Sequence, residues 1–412
     1  MQAISFKTEE TSFKVTLDGL FKIYFLSCMY TPFLAGLIPL PGLNLLDDLI
    51  FFSILPFCIY SIKSGQNKID LLVLTLPVYI LFSCILSVFN GEDLTVILLS
   101  LKNIKNLFLF FILISLRDDN TEFIKRHILF FLFASIPVAV FQFFTVTHQD
   151  DITGLFGPKS TSLYSFLVIV FVATYATYYG LNKVKWLWLL FIPVFLNETK
   201  ITFILFPAIL LTLLLISKKI KIKHFFILLI IGSIFFNLLN EIYLNLYGYA
   251  FSEIFNYDYL ETYLFEYTDL HNDIPRFYRL FVAYTYLDNS SLFDFYFGYG
   301  LGSEYVGGNG ETLGIVAKDF EYTLLNQGTR IQLFQMLLDY GVLGSIIFCC
   351  CLLLFLVKIS IKKITFDNLF TVAMLLVMLF SLVYQNMFFT KQLSFVLFYF
   401  VYMSMMKKIQ FK

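Results

Sequence analysis

The chain has 412 residues, of which 59% are hydrophobic and only 14% charged, and its mean hydropathy is +0.79. Lys plus Arg and Asp plus Glu balance at 29 each, so no charge excess points to nucleic acid. A soluble domain does not place one apolar run of about 20 residues after another, and runs this continuous do not alternate as the strands of a transmembrane β-barrel must. The composition therefore predicts an all-α polytopic membrane protein.

Residues 1–19 are polar with scattered lysines and carry no small-residue cleavage site, so the first apolar run is expected to be an uncleaved signal anchor. Twelve spans are predicted, at 20–41, 45–62, 69–89, 94–116, 122–146, 161–180, 184–198, 200–217, 222–243, 332–357, 366–388 and 391–406. The seventh and eighth are short and separated only by Asn197–Lys200, as in a tight helical hairpin or one broken helix. The six cysteines all fall in predicted helices, which implies no disulfide framework. No internal repeat is visible, which weakens an inverted-repeat transporter reading.

Basic residues set the expected orientation. Twenty of the 29 Lys/Arg, from Lys7 to Lys412, fall on one face, read as cytoplasmic together with both termini. The opposite turns are short and acidic, at Asp47/Asp48, Glu92/Asp93 and Asp150/Asp151. Nine cations break the pattern: Lys102, Lys105, Lys159, Lys200, Arg276, Arg279, Lys318, Arg330 and Lys391.

Three regions follow: a transmembrane bundle of about nine helices at 1–243, a large extracytoplasmic segment at 244–330, and about three transmembrane helices at 331–412. The middle region holds twelve Asp/Glu against four cations. A structureless loop of such length is uncommon, so a functional or folded segment is expected. Within it, Arg276–Leu287 reads as an aromatic-rich amphipathic helix, and 298–314, with seven glycines, as a turn-rich stretch.

Several residues suit an anionic substrate. Lys102 and Lys105 are three apart and share a helix face near the middle of the fourth span; they either form a cationic pocket for phosphate or pair with a carboxylate in the bundle. Lys200 stands at the mouth of the eighth span, where a helix N-terminus also favours an anion, or it pairs with Glu198. Arg276 and Arg279 again share a face, and their planar forks suit phosphate, unless they only neutralise neighbouring acids. Asp47 and Asp48 start the second span as a general base or a metal pair, or simply as acids favouring the helix dipole; no metal motif supports the pair. His148 and His271 lie on the outer side as candidate bases or plain surface residues. Gly298-Tyr299-Gly300-Leu301-Gly302 lacks the spacing of a dinucleotide fingerprint and reads as a tight turn or a close backbone approach to a ligand.

Four stretches, in this order, resemble the O-antigen polymerase (Wzy-type) and O-antigen ligase superfamily of membrane glycosyltransferases. They are Gly154-Leu155-Phe156-Gly157-Pro158, then Asn197-Glu198-Thr199-Lys200, then Arg276 through Ala283 to Gly298–Ser303, and finally Arg330 through Asp339 to Gly344. The resemblance covers about 150–350. Where ligases usually carry a histidine at the start of the returning helix, this chain has Arg330, which disfavours a ligase.

The resemblance implies a GT-C-like, inverting, metal-independent enzyme of the bacterial inner membrane with no cofactor. Its substrates would be oligosaccharides on undecaprenyl pyrophosphate, and its product an O-antigen or capsule polymer. A chain-length regulator protein is an expected partner, beside the lipid bilayer; nucleic acid is not. Lys200, Arg276, Arg279, Arg330, Lys102 and Lys105 would hold the pyrophosphate. Asp47, His271 and Arg330 are the candidates at the reacting centre, with the general base unassigned. Loop aromatics such as Tyr284, Tyr286, Phe295 and Tyr299 either stack on sugars or pack the loop. The alternatives are an O-antigen ligase and a non-enzymatic flippase for lipid-linked oligosaccharide.

Overall fold

The computed structural model describes residues 4–8, 11–15, 17–38, 42–62, 67–68, 70–116, 119–146, 152–157, 161–197, 199, 201–219, 222–248, 250–257, 261, 276–306, 313–319, 331–385 and 390–408. Its helices are α1 (Leu17–Leu37), α2 (Leu46–Ile62), α3 (Leu71–Phe89), α4 (Leu94–Asn103), α5 (Leu109–Ser115), α6 (Thr121–Thr145), α7 (Thr161–Tyr179), α8 (Ile192–Leu196), α9 (Ile201–Ile216) and α10 (Ile222–Tyr247). They continue as α11 (Arg276–Asp288), α12 (Leu292–Phe297), α13 (Ile315–Asp319), α14 (Gln332–Ser360), α15 (Phe366–Tyr384) and α16 (Lys391–Met405). Two short antiparallel pairs complete the regular structure. β1 (Ile4–Thr8) pairs with β2 (Thr11–Val15), and β3 (Asn67–Lys68) with β4 (Lys407–Lys408), Asn67 opposite Lys408.

This is an all-α, multi-pass membrane architecture. Among the described residues, six helices are long and apolar enough to cross a bilayer, namely α1, α3, α6, the Ser162–Tyr179 part of α7, α14 and α15. A seventh crossing is reached if α4 and the Lys105–Ser115 stretch count together across a 67° bend. Every one of the twelve expected apolar runs contains helix, but several fall short of a crossing. At 1.5 Å per residue, the 16 residues of α9 and the 15 of α16 reach about 24 Å, against a hydrocarbon core of about 30 Å. The expected seventh span is a 3₁₀ stretch (Lys185–Phe191) running into the five residues of α8.

Local sequence sets many of the helix starts. Asp70 caps α3 by accepting from Leu72 N at 3.1 Å, and Asp93 caps α4 by accepting from Thr95 N at 2.7 Å. Ser291 and Thr365 do the same for α12 and α15.

The centre of the bundle is α7, whose residues from Leu163 to Ala173 are almost wholly enclosed. It packs on α9 and α15, and α15 on α14 and α16. The outward faces of α3 and α6 expose Leu71, Val78, Ile85, Phe89, Phe130, Phe141 and Phe144. Such a surface needs lipid rather than water as its solvent. Gly154–Phe156, a single 3₁₀ turn, is buried inside the bundle against α1, α6 and α7. Its backbone donors are met by side chains: Gln142 Oε1 accepts from Thr153 N and Gly154 N, and Ser135 Oγ from Leu155 N. Irregular backbone survives at such depth only when satisfied in this way.

At one end, Lys358 pairs with Asp70 at 3.0 Å and Lys125 with Asp367 at 3.0 Å, tying the termini of α3, α6, α14 and α15. The site described next gathers at other helix ends.

Candidate functional site

Five charged side chains from four segments meet inside the bundle. Lys391, the first residue of α16, places Nζ 2.7 Å from Asp47 Oδ1. Asp47 Oδ2 and Asp48 Oδ1 both accept from Lys105 Nζ. Asp48 Oδ2 lies 3.1 Å from Lys102 Nζ, an ion pair without hydrogen-bond alignment. The result is a chain of alternating charge, Lys391–Asp47–Lys105–Asp48–Lys102, with a cation at each end. Its centre is sealed: Asp47 is 0% and Lys105 2% exposed, while the two terminal lysines are each 22% exposed. Three ammonium groups face two carboxylates, so the five carry one positive charge in excess. The partly exposed lysine at either end of such a chain is a place where an anion is favoured.

The break between α4 and α5 builds this cluster. No proline lies there; Ile104 leaves helical geometry at φ −105°, ψ 12°, and Lys105–Phe108 continues as a 3₁₀ turn. Lys105 turns to the aspartates. Asn106 accepts from Tyr24 Oη at 2.5 Å and donates to Ser394 Oγ at 2.8 Å and Lys391 O at 3.2 Å. Lateral polar partners thus replace the regular ladder. The expectation of one continuous face for Lys102 and Lys105 is corrected on this point: a 67° bend separates them, and both still reach Asp48 because the chain turns around it.

A second assembly lies alongside. Gly298–Ser303 inserts between α3, α4 and a kink in α14. Tyr299 N donates to Leu338 O at 2.9 Å, and Gly300 N to Asp339 O at 3.1 Å. Asp339 Oδ1 accepts from Gly302 N (3.1 Å), Ser303 N (3.0 Å) and Ser303 Oγ (2.8 Å). Ser87 Oγ donates to Leu301 O and Asn90 Nδ2 to Tyr299 O, each at 2.9 Å. Gly300 has φ +99° and a Cβ there would strike the Ser87 backbone; Gly341, at φ +67°, forms the kink and meets Gly298. These glycines therefore bring the backbone close to protein, and it is the loop itself that occupies the crevice. Gly302 reaches Ser100 on α4, two residues before Lys102, so the two assemblies share that helix.

Carboxylates line this second assembly. Asp339 is 0% and Glu304 1% exposed, and the two are close enough to repel each other. Glu92, in the turn between α3 and α4, accepts from Ile315 N at 2.8 Å and so pins the start of α13. Burial raises the Glu92 carboxyl above the usual range, partly offset by the N–H groups of Ile315 and Asp93. Neighbouring Asp93, in water, is held below its usual value by the N–H of Thr95. Among the described residues, no three His, Cys, Asp or Glu side chains converge as a metal site.

A groove of about 510 Å³ opens along α11, lined by Tyr278, Phe281, Val282, Thr285, Tyr286, Asn289 and Tyr299. The opposite face of α11 is buried against α14: Arg279, Ala283 and Leu287, at i, i+4 and i+8, are 2%, 0% and 0% exposed.

Of the residues singled out from sequence, Asp47, Lys102 and Lys105 come together, and Lys391 joins them. Arg279 is buried on the face of α11 that packs against α14. Arg276 begins the helix, with only its backbone described. Lys200, His148, His271 and Arg330 lie outside the described residues; beside Lys200, Asn197 Oδ1 accepts from Thr199 N and Oγ1 just before α9. Asp47 is a poor candidate base as it stands, since both its oxygens already accept from lysines. Tyr286 and Tyr299 line the groove with ring centroids 5.4 Å apart, whereas Tyr284 and Phe295 pack on each other at 6.3 Å. Sequence reasoning assigned no role to Asp339, Glu304 or Glu92; the placement of Asp339 just before Gly341 in the returning helix was the available signal.

Fold and site together define a multi-pass α-helical membrane protein with a buried, net-cationic ion chain beside a docked glycine-rich segment. Comparison with models of known families, with curated proteins and with solved structures finds no match.

Proposed function

We propose that this protein is a membrane glycosyltransferase that polymerises a bacterial surface polysaccharide. It moves the growing glycan from undecaprenyl pyrophosphate to a repeat unit on the same lipid. The observation that carries the reading is the buried Lys391–Asp47–Lys105–Asp48–Lys102 chain, with one positive charge in excess and a partly exposed lysine at each end. A lipid-linked pyrophosphate is an anion that reaches such a place from within the bilayer, and cations near its leaving oxygen favour departure. In the transfer, an acceptor hydroxyl oxygen bonds to the anomeric carbon. The carbon–oxygen bond to pyrophosphate breaks, undecaprenyl pyrophosphate leaves with the bonding pair, and the hydroxyl proton passes to a carboxylate or to His271 of the outer segment. Lys200, Arg276 and Arg330 remain part of the proposed pyrophosphate site on the strength of the sequence resemblance. Arg279 belongs to the same set, on the side of α11 that is buried against α14.

A second reading is favoured by one observation. A span bent by 67° and threaded by alternating charges is also how transporters build an ion-coupled path, which points to a flippase for the same lipid. The two are separated by the surface-polysaccharide profile of a strain lacking the protein, complemented with wild type or with Lys102→Gln at the partly exposed end of the chain. Loss of the ladder with a single repeat unit still exported supports polymerisation. Repeat units held on the cytoplasmic leaflet support the flippase. Long chains left on the carrier lipid indicate a ligase, and an unchanged profile removes all three.

A further inference from the structure

Both tryptophans of the chain lie in one place, the 3₁₀ stretch Lys185–Phe191 that stands where a seventh span was expected. With three residues per turn, positions i and i+3 eclipse each other. Val184, Leu187 and Leu190 therefore form one ridge, and all three are buried, with the stretch packed on α6 and α7. The exposed side chains stand on the other two ridges, Lys185 with Trp188 and Trp186 with Leu189. Trp186 is 77% exposed and Trp188 44%, the second steadied by the rings of Phe191 and Phe206 at 5.6 and 5.8 Å.

The order of these exposed side chains is graded. They run Asn182, Lys183, Lys185, Trp186, Trp188, Leu189, from polar through aromatic to aliphatic. A bilayer surface is graded in the same way, from headgroups through the interface that tryptophan favours to hydrocarbon. At about 2 Å per residue the step from Lys185 to Leu189 covers about 8 Å, close to the depth of one interfacial layer. Two bare tryptophans beside a bare leucine cost free energy in water, and that cost disappears in the interface.

The charge is one-sided. From Tyr178 to Phe191 the chain holds two lysines and no Asp or Glu. A third lysine, Lys218, is brought to the same end of the bundle by its neighbour. Lys219 Nζ donates to Thr177 O at 2.5 Å and to Tyr178 O at 3.1 Å, carbonyls of the last turn of α7. Lys183, Lys185 and Lys218 are exposed, and among the described residues none of them is in an ion pair. A zwitterionic headgroup would bring its own cation to a surface with no acid to receive it. A headgroup of net negative charge meets cations alone.

We infer that this surface is a headgroup site for an anionic phospholipid. The phosphate sits among Lys183, Lys185 and Lys218, and Trp186 and Trp188 lie below it at the level where the acyl chains begin. The ligand is a lipid of the bilayer and not the substrate, so the site stands apart from the polymerase reading.

The test uses the purified full chain in bilayers of phosphatidylcholine brominated on its acyl chains, into which unbrominated phosphatidylglycerol is mixed. Bromine quenches tryptophan on contact, and the two tryptophans report from this surface alone. Wild type is expected to be quenched in the brominated bilayer. Its emission should recover at a lower fraction of phosphatidylglycerol than of unbrominated phosphatidylcholine, a preference that fades with added salt. Lys183→Gln combined with Lys185→Gln should weaken the preference at least about fivefold, whereas Lys183→Arg with Lys185→Arg should keep it. Lys363→Gln removes an exposed cation between α14 and α15 and should leave the preference unchanged. Quenching by iodide from the water but not by brominated lipid would overturn the proposal. Equal recovery with the two lipids in wild type would do the same, as would a loss in Lys363→Gln as large as in the double glutamine variant.

Discussion

Lys105 is sealed between Asp47 and Asp48 with 2% of its side chain in contact with solvent. Burying three charges is favourable only while each has its partners, and removing the central cation leaves two buried carboxylates with one lysine apiece. Lys105→Met is therefore expected to cost about 3–5 kcal/mol. Lys102→Met, at the partly exposed end, should cost about 1 kcal/mol or less. Chemical or thermal unfolding of the purified protein in detergent measures both, and equal costs would mean that the chain is not an electrostatic unit. Glycines separate in the same way. Gly300→Ala meets both a left-handed φ and the Ser87 backbone, so folded protein should be lost. Gly42→Ala, at φ +85° with open space around it, should cost only the backbone strain of about 1–2 kcal/mol. Yield and monodispersity by size exclusion distinguish the two.

The unit of interest at the next scale is the docked segment, which two carboxylates clamp in addition to its bonds to the α14 backbone, Ser87 and Asn90. Asp339 of α14 takes three hydrogen bonds from Gly302 and Ser303, and Glu92 takes one from Ile315. Asp339→Ala removes the first clamp. Amide exchange at Gly302 and Ser303 is expected to rise well above that of the surrounding helices; unchanged protection would show that the remaining hydrogen bonds and glycine contacts hold the segment without the carboxylate. The second clamp makes a pH statement. The folded-state pKa of Glu92 is raised by burial, so its contribution to stability is fully present below the ordinary glutamate value of about 4.5 and is lost as pH rises through the raised value. Glu92→Gln keeps an oxygen for Ile315 N and has no charge to desolvate. Its stability at neutral pH should equal or exceed wild type, and the decline across the weakly acidic range should flatten. A steeper decline in the variant would reverse the sign and with it the account of Glu92.

Across the whole molecule, lipid exposure and charge are segregated. α3 and α6 face outward with bare Phe, Leu, Ile and Val, while α7 and most of α15 are enclosed. Among the described residues, six helices are long and apolar enough to cross, and a bent pair makes a seventh candidate. Topology follows from reporter fusions. Fusions after Lys219 and within Asn67–Lys68 are expected on one side of the membrane and fusions after Asn289 on the other, because the basic connections cluster away from the acidic segment. Placement of Lys219 and Asn289 on the same side would overturn the orientation and detach the α11 groove from the outer face.

The helical membrane class, every apolar run that became helix and the aromatic helix at Arg276–Asp288 were legible in the residues alone, because hydropathy and helical period are local properties carried by neighbours in the chain. The lysines that broke the charge pattern were legible as anomalies, but not their partners. Lys105 finds Asp47 58 residues away and Lys391 finds it 344 away, and no period connects such positions. The same holds for Asp339, which read as one residue of a returning helix until Gly302 and Ser303 folded back onto it. Sequence could offer Arg279 as a surface cation because i, i+3 spacing puts it beside Arg276, yet the face it shares with Ala283 is the one α14 covers. Which side of a helix is buried depends on what packs against it, and that is settled by the three-dimensional arrangement of elements far apart along the chain.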